Sequence, residues 1–251
     1  MRFTGCHLLT LLLTLAPSCY ALALPSSGKL KLKYFDLRGA AEPARLLLAF
    51  GDEEYDDMRF EITPGTFDSP SFKAAKESGE LQMNLNRAPV LVTSDGITIG
   101  QSKAIERFIA RRLGLMGSSP IEEALVDCVA EHCRDVKDAQ MRKGFSAFTK
   151  NKSDEEKATA KQEWFETEMP VMLEKINEVV QSTGTKGFAV GSAPSLADVA
   201  IFCLLRDCMP AEQEEVAAAA KKCDALNIIA DAVASNPGVS KWVKERPSTM
   251  F

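Results

Sequence analysis

The sequence has no excess of basic residues and no basic arm. Its 251 residues include 30 Lys and Arg against 35 Asp and Glu, a formal net charge of -5, and both signs are mixed along the chain. Nucleic acids and anionic membranes are usually bound with an excess of Lys and Arg. The composition therefore argues against nucleic acid and against stable membrane association. A hydrophobic share of 45% with 26% charged residues is ordinary for a globular protein.

The sequence also lacks the cysteine patterns of zinc sites and disulfide frameworks. It contains no C-x-x-C pair and no zinc-ligand spacing. Two of its seven cysteines, Cys6 and Cys19, fall in the first 23 residues. The others lie in helical-looking segments, and we interpret them as buried, small apolar residues rather than as disulfide partners; they are Cys128, Cys133, Cys203, Cys208 and Cys223.

Long apolar runs are absent except near the N-terminus. Residues 1–23 contain Arg2, an apolar run from Leu8 to Ala16, Pro17 and an A-x-A pattern over 21–23, which together are typical of a cleaved signal peptide. The run is shorter than the roughly 20 residues that span a bilayer. We expect the secretory pathway, either the endoplasmic reticulum or secretion. The alternatives are an uncleaved N-terminal anchor and a plastid reached through a bipartite address.

Two regions of different pattern follow this segment. Residues 28–113 predict the order β-α-β-α-β-β-α, from a strand over Lys29–Phe35 to a helix over Ser102–Arg112. A Gly/Ser/Pro connector separates them from residues 119–251, which show only helical patterns. The sequence thus predicts an α/β domain followed by a larger all-helical domain.

Within the second region the longest helix is predicted over Pro120–Phe148, with proline near its first turn. Another helix is predicted over Asp154–Ser182, and Pro170 should kink or break it because proline removes a backbone hydrogen bond. Further helices are predicted over 195–208, 222–234 and 239–244.

The first strand ends on a tyrosine beside a glycine-bearing turn, in KLKLKYFDLRG. Leu30, Leu32 and Tyr34 alternate with lysines, so they share the inward face of a half-buried strand. Tyr34 has two interpretations. It is one more packed aromatic residue, or its hydroxyl projects from the end of the sheet and takes part in chemistry.

Two further signals are weak when each is taken alone. If the bond between Ala88 and Pro89 is cis, the backbone of Ala88 is free to pair with an extended, peptide-like ligand; an ordinary trans proline at a strand start is the alternative. Gln101 and Ser102 open a helix whose N-terminal N–H groups could hold a carboxylate. A plain N-cap at Ser102 without a ligand is the alternative there.

In combination these segments resemble one family. The order YFDLRGAAEPARLLL, APVL and DGITIGQSKAIERFIA, followed by helices, is similar to the cytosolic-type glutathione S-transferases. The resemblance is to their sigma-like branch, which includes glutathione-dependent prostaglandin isomerases and lens S-crystallins. It spans residues 29–251 and includes the ending VSKWVKERPSTMF and the capping box Ser195-x-x-Asp198, whose role is folding. It implies a thioredoxin-like first domain that binds glutathione as co-substrate, with no metal.

The resemblance assigns roles to residues of the first domain. Tyr34 matches the catalytic tyrosine whose hydroxyl donates a hydrogen bond to the glutathione sulfur. Gln101 and Ser102 match the pair that holds the γ-glutamyl carboxylate. Ala88, before Pro89, matches the residue whose backbone pairs with the cysteinyl part of glutathione.

Three more residues carry expected glutathione contacts. Arg87 falls where a lysine or glutamine usually contacts the ligand, and Lys73 matches, through a longer loop, a lysine that meets the glycyl carboxylate. Asp135 falls near an acidic residue that reaches the γ-glutamyl amine of the ligand in the partner subunit, so the resemblance also implies a homodimer. Ala40 stands where the sigma-like pattern often has arginine. Arg134 interrupts the acidic, metal-modulating cluster of the prostaglandin isomerases, so we predict neither a metal nor that specialised activity.

The function implied is conjugation of glutathione to hydrophobic electrophiles, the chemistry of detoxification. Its alternatives are a non-catalytic relative, acting as a ligand carrier or an S-crystallin-like structural protein, and a glutathione-dependent isomerase or peroxidase. The acceptor is expected between the domains, beside the long helix from Pro120 and the C-terminal segment. Met141, Phe145 and Phe148 are candidates to line it, although such a stripe is more often core.

Overall fold

A computed structural model describes residues 28–66, 68–146 and 149–249. The expected signal peptide over residues 1–23 lies outside them. Within the described ranges no helix is long and apolar enough to cross a membrane.

The first domain is a four-stranded mixed sheet with helices packed on it. Its strand order is β2-β1-β3-β4, with β1 and β2 parallel and the other neighbours antiparallel. The elements follow the predicted order, and this thioredoxin-like fold is confirmed: β1 Leu30–Phe35, α1 Glu42–Phe50, β2 Tyr55–Phe60, α2 Pro70–Glu77, β3 Val90–Val92, β4 Thr98–Gly100 and α3 Ser102–Arg112.

Alternation along β1 directs the packing of this domain. Leu30 and Leu32 are buried on the face covered by α1 and α3, while Lys31 is exposed. The run Leu46–Leu48 of α1 is fully buried against them. Burial of these side chains removes apolar surface from water, which is the main favourable term in folding.

The second domain is all-helical, as predicted. Its α-helices are α4 Pro120–Lys143, α5 Asp154–Glu163, α6 Met169–Thr183, α7 Leu196–Phe202, α8 Gln213–Ala219, α9 Asp224–Ala234 and α10 Pro237–Glu245. π-Helical turns over Trp164–Glu168 and Cys203–Asp207 continue α5 and α7. The domain limits 28–113 and 119–251 stay predictions.

Several predicted helix boundaries are wrong. The long helix ends at Lys143 rather than Phe148, because Gly144 adopts a left-handed conformation with φ of 66° and caps it. The break expected at Pro170 lies just before it, in the π-helical turn, and Pro170 occupies the first turn of α6.

The cysteine prediction holds for most of the residues concerned. None of these five cysteines forms a disulfide, and Cys133, Cys203 and Cys223 are buried. Cys128 is exposed, so its prediction as a buried residue is wrong. It lies on the solvent side of α4, and its thiol is 3.3 Å from the Nε2 atom of His132, one turn along the helix.

The domains meet through α1, which packs against α7 and α10, and through α3, which packs against α7. At the centre of this interface the carboxylate of Glu42 is 3% exposed. It accepts hydrogen bonds from the indole Nε1 of Trp242 and from Nη1 of Arg246, both at 2.7 Å. Arg45 donates to its other oxygen at 3.2 Å. Buried charges are tolerated when they are paired in this way, so this cluster fixes how the two domains sit together.

The predicted capping box is present at the start of α7. The carboxylate of Asp198 accepts hydrogen bonds from the backbone N–H of Ser195 at 2.8 Å and from the Ser195 hydroxyl at 2.6 Å. Its second oxygen accepts from the N–H of Ala189 at 3.0 Å. Burial raises the pKa of Asp198 and outweighs the opposing effect of these bonds. Its role is structural, because it satisfies backbone donors inside the second domain.

Candidate functional site

Tyr34 lies at the end of β1, where the chain turns toward α1. Its half-buried hydroxyl accepts a hydrogen bond of 3.1 Å from the backbone N–H of Ala40. Gly39 in the same turn has φ of 42°, and a Cβ atom on it would lie 2.6 Å from the Tyr34 hydroxyl oxygen. The turn therefore requires glycine, both for its backbone and for its close approach to the hydroxyl.

The direction of this hydrogen bond matters chemically. A phenolic hydroxyl can accept and donate at the same time. Because Ala40 donates to the oxygen of Tyr34, the hydroxyl proton remains available for a ligand. A donor fixed by the backbone is oriented before the ligand arrives, which is the arrangement that favours an anionic acceptor.

Asn84 connects the two other parts of the site. It is 4% exposed. Its side-chain nitrogen donates to the carbonyl of Pro89 at 2.8 Å, and its side-chain oxygen accepts from the N–H of Gln101 at 3.1 Å. The bond between Ala88 and Pro89 is cis. One buried amide thus joins the loop before β3 to the residue that opens α3.

Gln101 adopts an unusual backbone conformation, with φ of 66° and ψ of 117°. Positive φ is uncommon outside glycine and costs free energy. The hydrogen bond from its N–H to Asn84 fixes this conformation. Gly100 precedes it, and a Cβ there would lie 2.9 Å from both the Asn84 Cβ and the Met83 carbonyl oxygen. The segment around Gln101 is therefore packed directly against the segment around Asn84.

The alternative of a plain N-cap at Ser102 is wrong. It is the first residue of α3, and Gln101, in the N-cap position, makes no side-chain capping hydrogen bond. The first N–H groups of α3 thus receive no cap from this residue. A helix N-terminus of this kind attracts a carboxylate through its N–H groups and its dipole.

The remaining first-domain residues surround this loop. Ala88 lies two residues before Val90, whose pairing with Lys33 begins the ladder between β1 and β3, so Ala88 is outside that ladder. Arg87 is exposed, and its Nε is 3.5 Å from the carbonyl oxygen of Asn84. These residues are therefore brought to the same edge of the sheet as Gln101.

Lys73 and Asp135 are both exposed on helices. Lys73 is on α2 and pairs with Asp68 at 2.5 Å, both side chains being largely exposed. Asp135 is exposed on α4.

The acidic cluster near Asp135 is neutralised by arginines. Glu131 pairs with Arg134 at 2.8 Å and with Arg107 at 2.5 Å. Among the residues that the structure describes, no group of three or more His, Cys, Asp or Glu residues is gathered as for a metal ion.

The three acceptor-site candidates have different positions. Met141 is 78% exposed. Phe145 packs against Phe165, with ring centroids 5.9 Å apart, as expected of the core alternative. Phe148 lies outside the described residues.

Two sequence models of protein families match the chain. The model described as glutathione S-transferase, N-terminal domain, matches residues 30–111, and the one described as glutathione S-transferase, C-terminal domain, matches residues 139–246. The hematopoietic prostaglandin D synthase of Gallus gallus is 31% identical over 219 residues, which cover 87% of this chain and 97% of that protein. This chain belongs to the glutathione S-transferase family.

Other members of the transferase family show the same extent of similarity. S-crystallin 4 of Enteroctopus dofleini is 29% identical over 230 residues, 88% of this chain and 98% of that protein. Among solved structures, monomeric Na-GST-3, a glutathione S-transferase of the hookworm Necator americanus, is 26% identical with a TM-score of 0.72, covering 89% of this chain and 100% of that one. The transferase thus matches these relatives over nearly their whole length.

Sequence reasoning selected Tyr34, Gln101 and the Ala88–Pro89 pair, but it missed Asn84. The available signal was weak: an asparagine five residues before a proline. Nothing in a single sequence indicates that its amide also reaches a backbone group 17 residues away.

Proposed function

We propose that this transferase conjugates glutathione to hydrophobic, electrophilic small molecules, with Tyr34 as the catalytic residue. The observation that carries the proposal is the Tyr34 hydroxyl, held at the end of β1 by the N–H of Ala40 with its own proton available. In the reaction the glutathione thiolate attacks an electrophilic carbon and a C–S bond forms. Either a leaving group departs with its electron pair, or a carbon–carbon π bond opens and the carbon beside it takes up a proton.

Tyr34 acts by stabilising the thiolate. A free thiol has a pKa near 8.5, so only a small fraction is ionised at neutral pH. A hydroxyl that donates to the sulfur favours the anion over the neutral thiol. Lowering the pKa by about two units requires about 2.7 kcal/mol of differential stabilisation, much of which one charge-assisted hydrogen bond in a partly dry site can supply.

Glutathione binding is proposed along the edge of the sheet and the start of α3. The γ-glutamyl carboxylate binds at Gln101 and Ser102, where the N-terminal N–H groups of α3 and the helix dipole favour an anion. The cysteinyl part pairs with the backbone of Ala88, and this orients its sulfur toward Tyr34. Arg87 adds positive charge to the same edge.

Lys73 and Asp135 have outer roles in this proposal. Lys73 releases its exposed partner Asp68 and binds the glycyl carboxylate. This exchange costs little free energy, because surface ion pairs are weak. Asp135 acts on the ligand of a second subunit. We therefore propose a sigma-like homodimer, supported by the exposed position of Asp135 on α4. A monomeric mass by light scattering at micromolar concentration would refute it.

The location remains a proposal from the sequence alone. We propose that residues 1–23 direct the chain into the secretory pathway and are then removed. Mass spectrometry of the protein recovered from its native source tests this, since a mature N-terminus near Leu24 is expected. A peptide that includes residues 1–23 would contradict it.

The deciding experiment is the thiolate absorbance of bound glutathione as a function of pH. A thiol pKa well below the free value is expected, returning toward that value in Tyr34→Phe. The matched control is Tyr55→Phe, which removes a buried hydroxyl that has no hydrogen-bond partner within the described residues. Bound glutathione with an ordinary pKa in both the natural protein and Tyr34→Phe would support the non-catalytic alternative. S-crystallin 4 is a relative whose name is consistent with that alternative.

A further inference from the structure

Lys137 is a cation on the buried face of α4. It follows Ala130 by seven residues and Cys133 by four, and both are buried, as is the neighbouring Val136. Residues spaced by four and seven positions share one face of an α-helix. The buried face of α4 packs against α6 and α7. Lys137 is therefore directed into the molecule, although it remains partly accessible to solvent.

Both carboxylates that Lys137 faces already have other cations. They are Glu106 on α3 and Asp207 in the π-helical turn after α7. Glu106 pairs with Lys103 at 2.8 Å, and Asp207 pairs with Arg246 at 2.5 Å. Across the described part of the chain, Lys137 has no carboxylate oxygen within the 4 Å of an ion pair. It is thus a cation near acids that are satisfied elsewhere.

The groups around Lys137 favour its charged form. Burial lowers the pKa of its ammonium group, but the thiols of Cys208 and Cys203 and the carboxylates of Glu106 and Asp207 raise it to a greater extent. Burial raises the pKa of both thiols, so at neutral pH their contribution is absent and the carboxylates of Glu106 and Asp207 are the charged groups that favour the ammonium form.

The two carboxylates near Lys137 each lie close to a part of the proposed active site. On one side, Asp207 is 3.8 Å from Nη1 of Arg38, and Arg38 belongs to the turn in which Ala40 binds the Tyr34 hydroxyl. On the other side, Glu106 lies one helical turn along α3 from Ser102. Asp207 and Glu106 thus connect Lys137 with the turn that holds the Tyr34 hydroxyl and with the first turns of α3, the two parts of the proposed active site.

We propose that Lys137 binds a carboxylate of the acceptor, so that the preferred acceptors are electrophiles with an apolar body and an anionic group. The inference rests on the proposed function and names the substrate class of that site. A half-buried cation without a close partner gains most from an anion, because the low local dielectric strengthens the attraction. Its surroundings also include the small apolar side chains of Cys203 and Cys208, which suit the body of such a molecule.

The experiment compares two acceptors that differ only in charge. They are an aryl vinyl ketone bearing a para-oxyacetate group and the methyl ester of the same compound. The alkene accepts the glutathione sulfur at its terminal carbon, and the carbon next to the carbonyl takes up the proton. Since the carboxylate is remote from the alkene, both react similarly with free glutathione. Each kcat/KM is divided by its uncatalysed rate constant.

The natural protein is expected to prefer the acid over the ester. Lys137→Met should lower that preference about five- to tenfold, because it removes one charge-assisted hydrogen bond to the acid. Lys137→Arg should retain most of it. The matched control is Lys175→Met, which removes an exposed lysine of α6, and it should leave the preference unchanged. An unchanged preference in Lys137→Met would overturn the proposal, as would equal losses in Lys137→Met and Lys175→Met.

A second measurement separates this proposal from the proposed function. Calorimetry in the presence of glutathione gives the affinities of the saturated ethyl ketone analogues, as acid and as methyl ester, without any reaction. A higher affinity for the acid that depends on Lys137 would support the anion site even if no conjugation occurs. Equal affinities for acid and ester would overturn it, even if conjugation of the ester is fast.

Discussion

The bridge made by Asn84 offers a direct test of how this fold builds its glutathione site. Asn84→Ala removes a donor to the Pro89 carbonyl and an acceptor from the Gln101 N–H, at 2.8 and 3.1 Å. The Pro89 carbonyl and the Gln101 N–H are then left without a partner. A buried polar group without a partner lowers the stability of the fold by more than the hydrogen bond itself contributed. We expect the free energy of unfolding to fall by about 2–4 kcal/mol.

The same substitution should weaken glutathione binding. Gln101 has positive φ, and such a conformation costs about 1–2 kcal/mol unless its surroundings hold it. Without Asn84 the backbone at Gln101 can relax to another conformation. Part of the free energy of glutathione binding is then used to restore the conformation that binds. That cost corresponds to a dissociation constant about 5- to 30-fold higher.

Urea unfolding and calorimetric glutathione titration measure the two effects separately. Gln82→Ala is the control, because Gln82 is an exposed residue of the same turn. Should Asn84→Ala lose stability and yet bind glutathione within about twofold of the natural protein, the bridge would be a folding element only. Should neither quantity change, the reasoning from buried hydrogen bonds would be refuted.

Two other predictions concern the domain interface and the cysteines. Glu42→Ala should lower the free energy of unfolding by about 3–5 kcal/mol, because it breaks a buried ion pair with Arg246. The control is Glu54→Ala, which removes an exposed partner of Lys29. Equal urea midpoints for the two variants would contradict the predicted loss of stability. Iodoacetamide should label Cys128 first in the folded protein, since Cys128 is exposed whereas burial raises the pKa of the Cys133 thiol to about 12. Peptide mass spectrometry measures this order, and earlier labelling of Cys133 would contradict it.

Local patterns in the sequence predicted most of the architecture. Alternation at Leu30, Leu32 and Tyr34 predicted β1 because a strand turns successive side chains to opposite faces. The predicted helix over Ser102–Arg112 matches α3 as observed. Helix ends were less predictable: the apolar pattern runs on to Phe148, but the backbone of Gly144 ends α4 at Lys143.

The sequence by itself also determined the family and the identity of Tyr34 as the residue to test, because both depend on motifs that lie close together in the chain. Tertiary structure alone decided that Ala40 orients its hydroxyl and that Asn84 supports Gln101. It also decided that Lys137 is directed inward between acids already paired with other cations. The physical reason is that periodicity records the environment of one residue at a time, whereas a hydrogen bond or an ion pair needs two groups at a defined distance. That distance exists only after the apolar faces of the helices and the sheet have packed together.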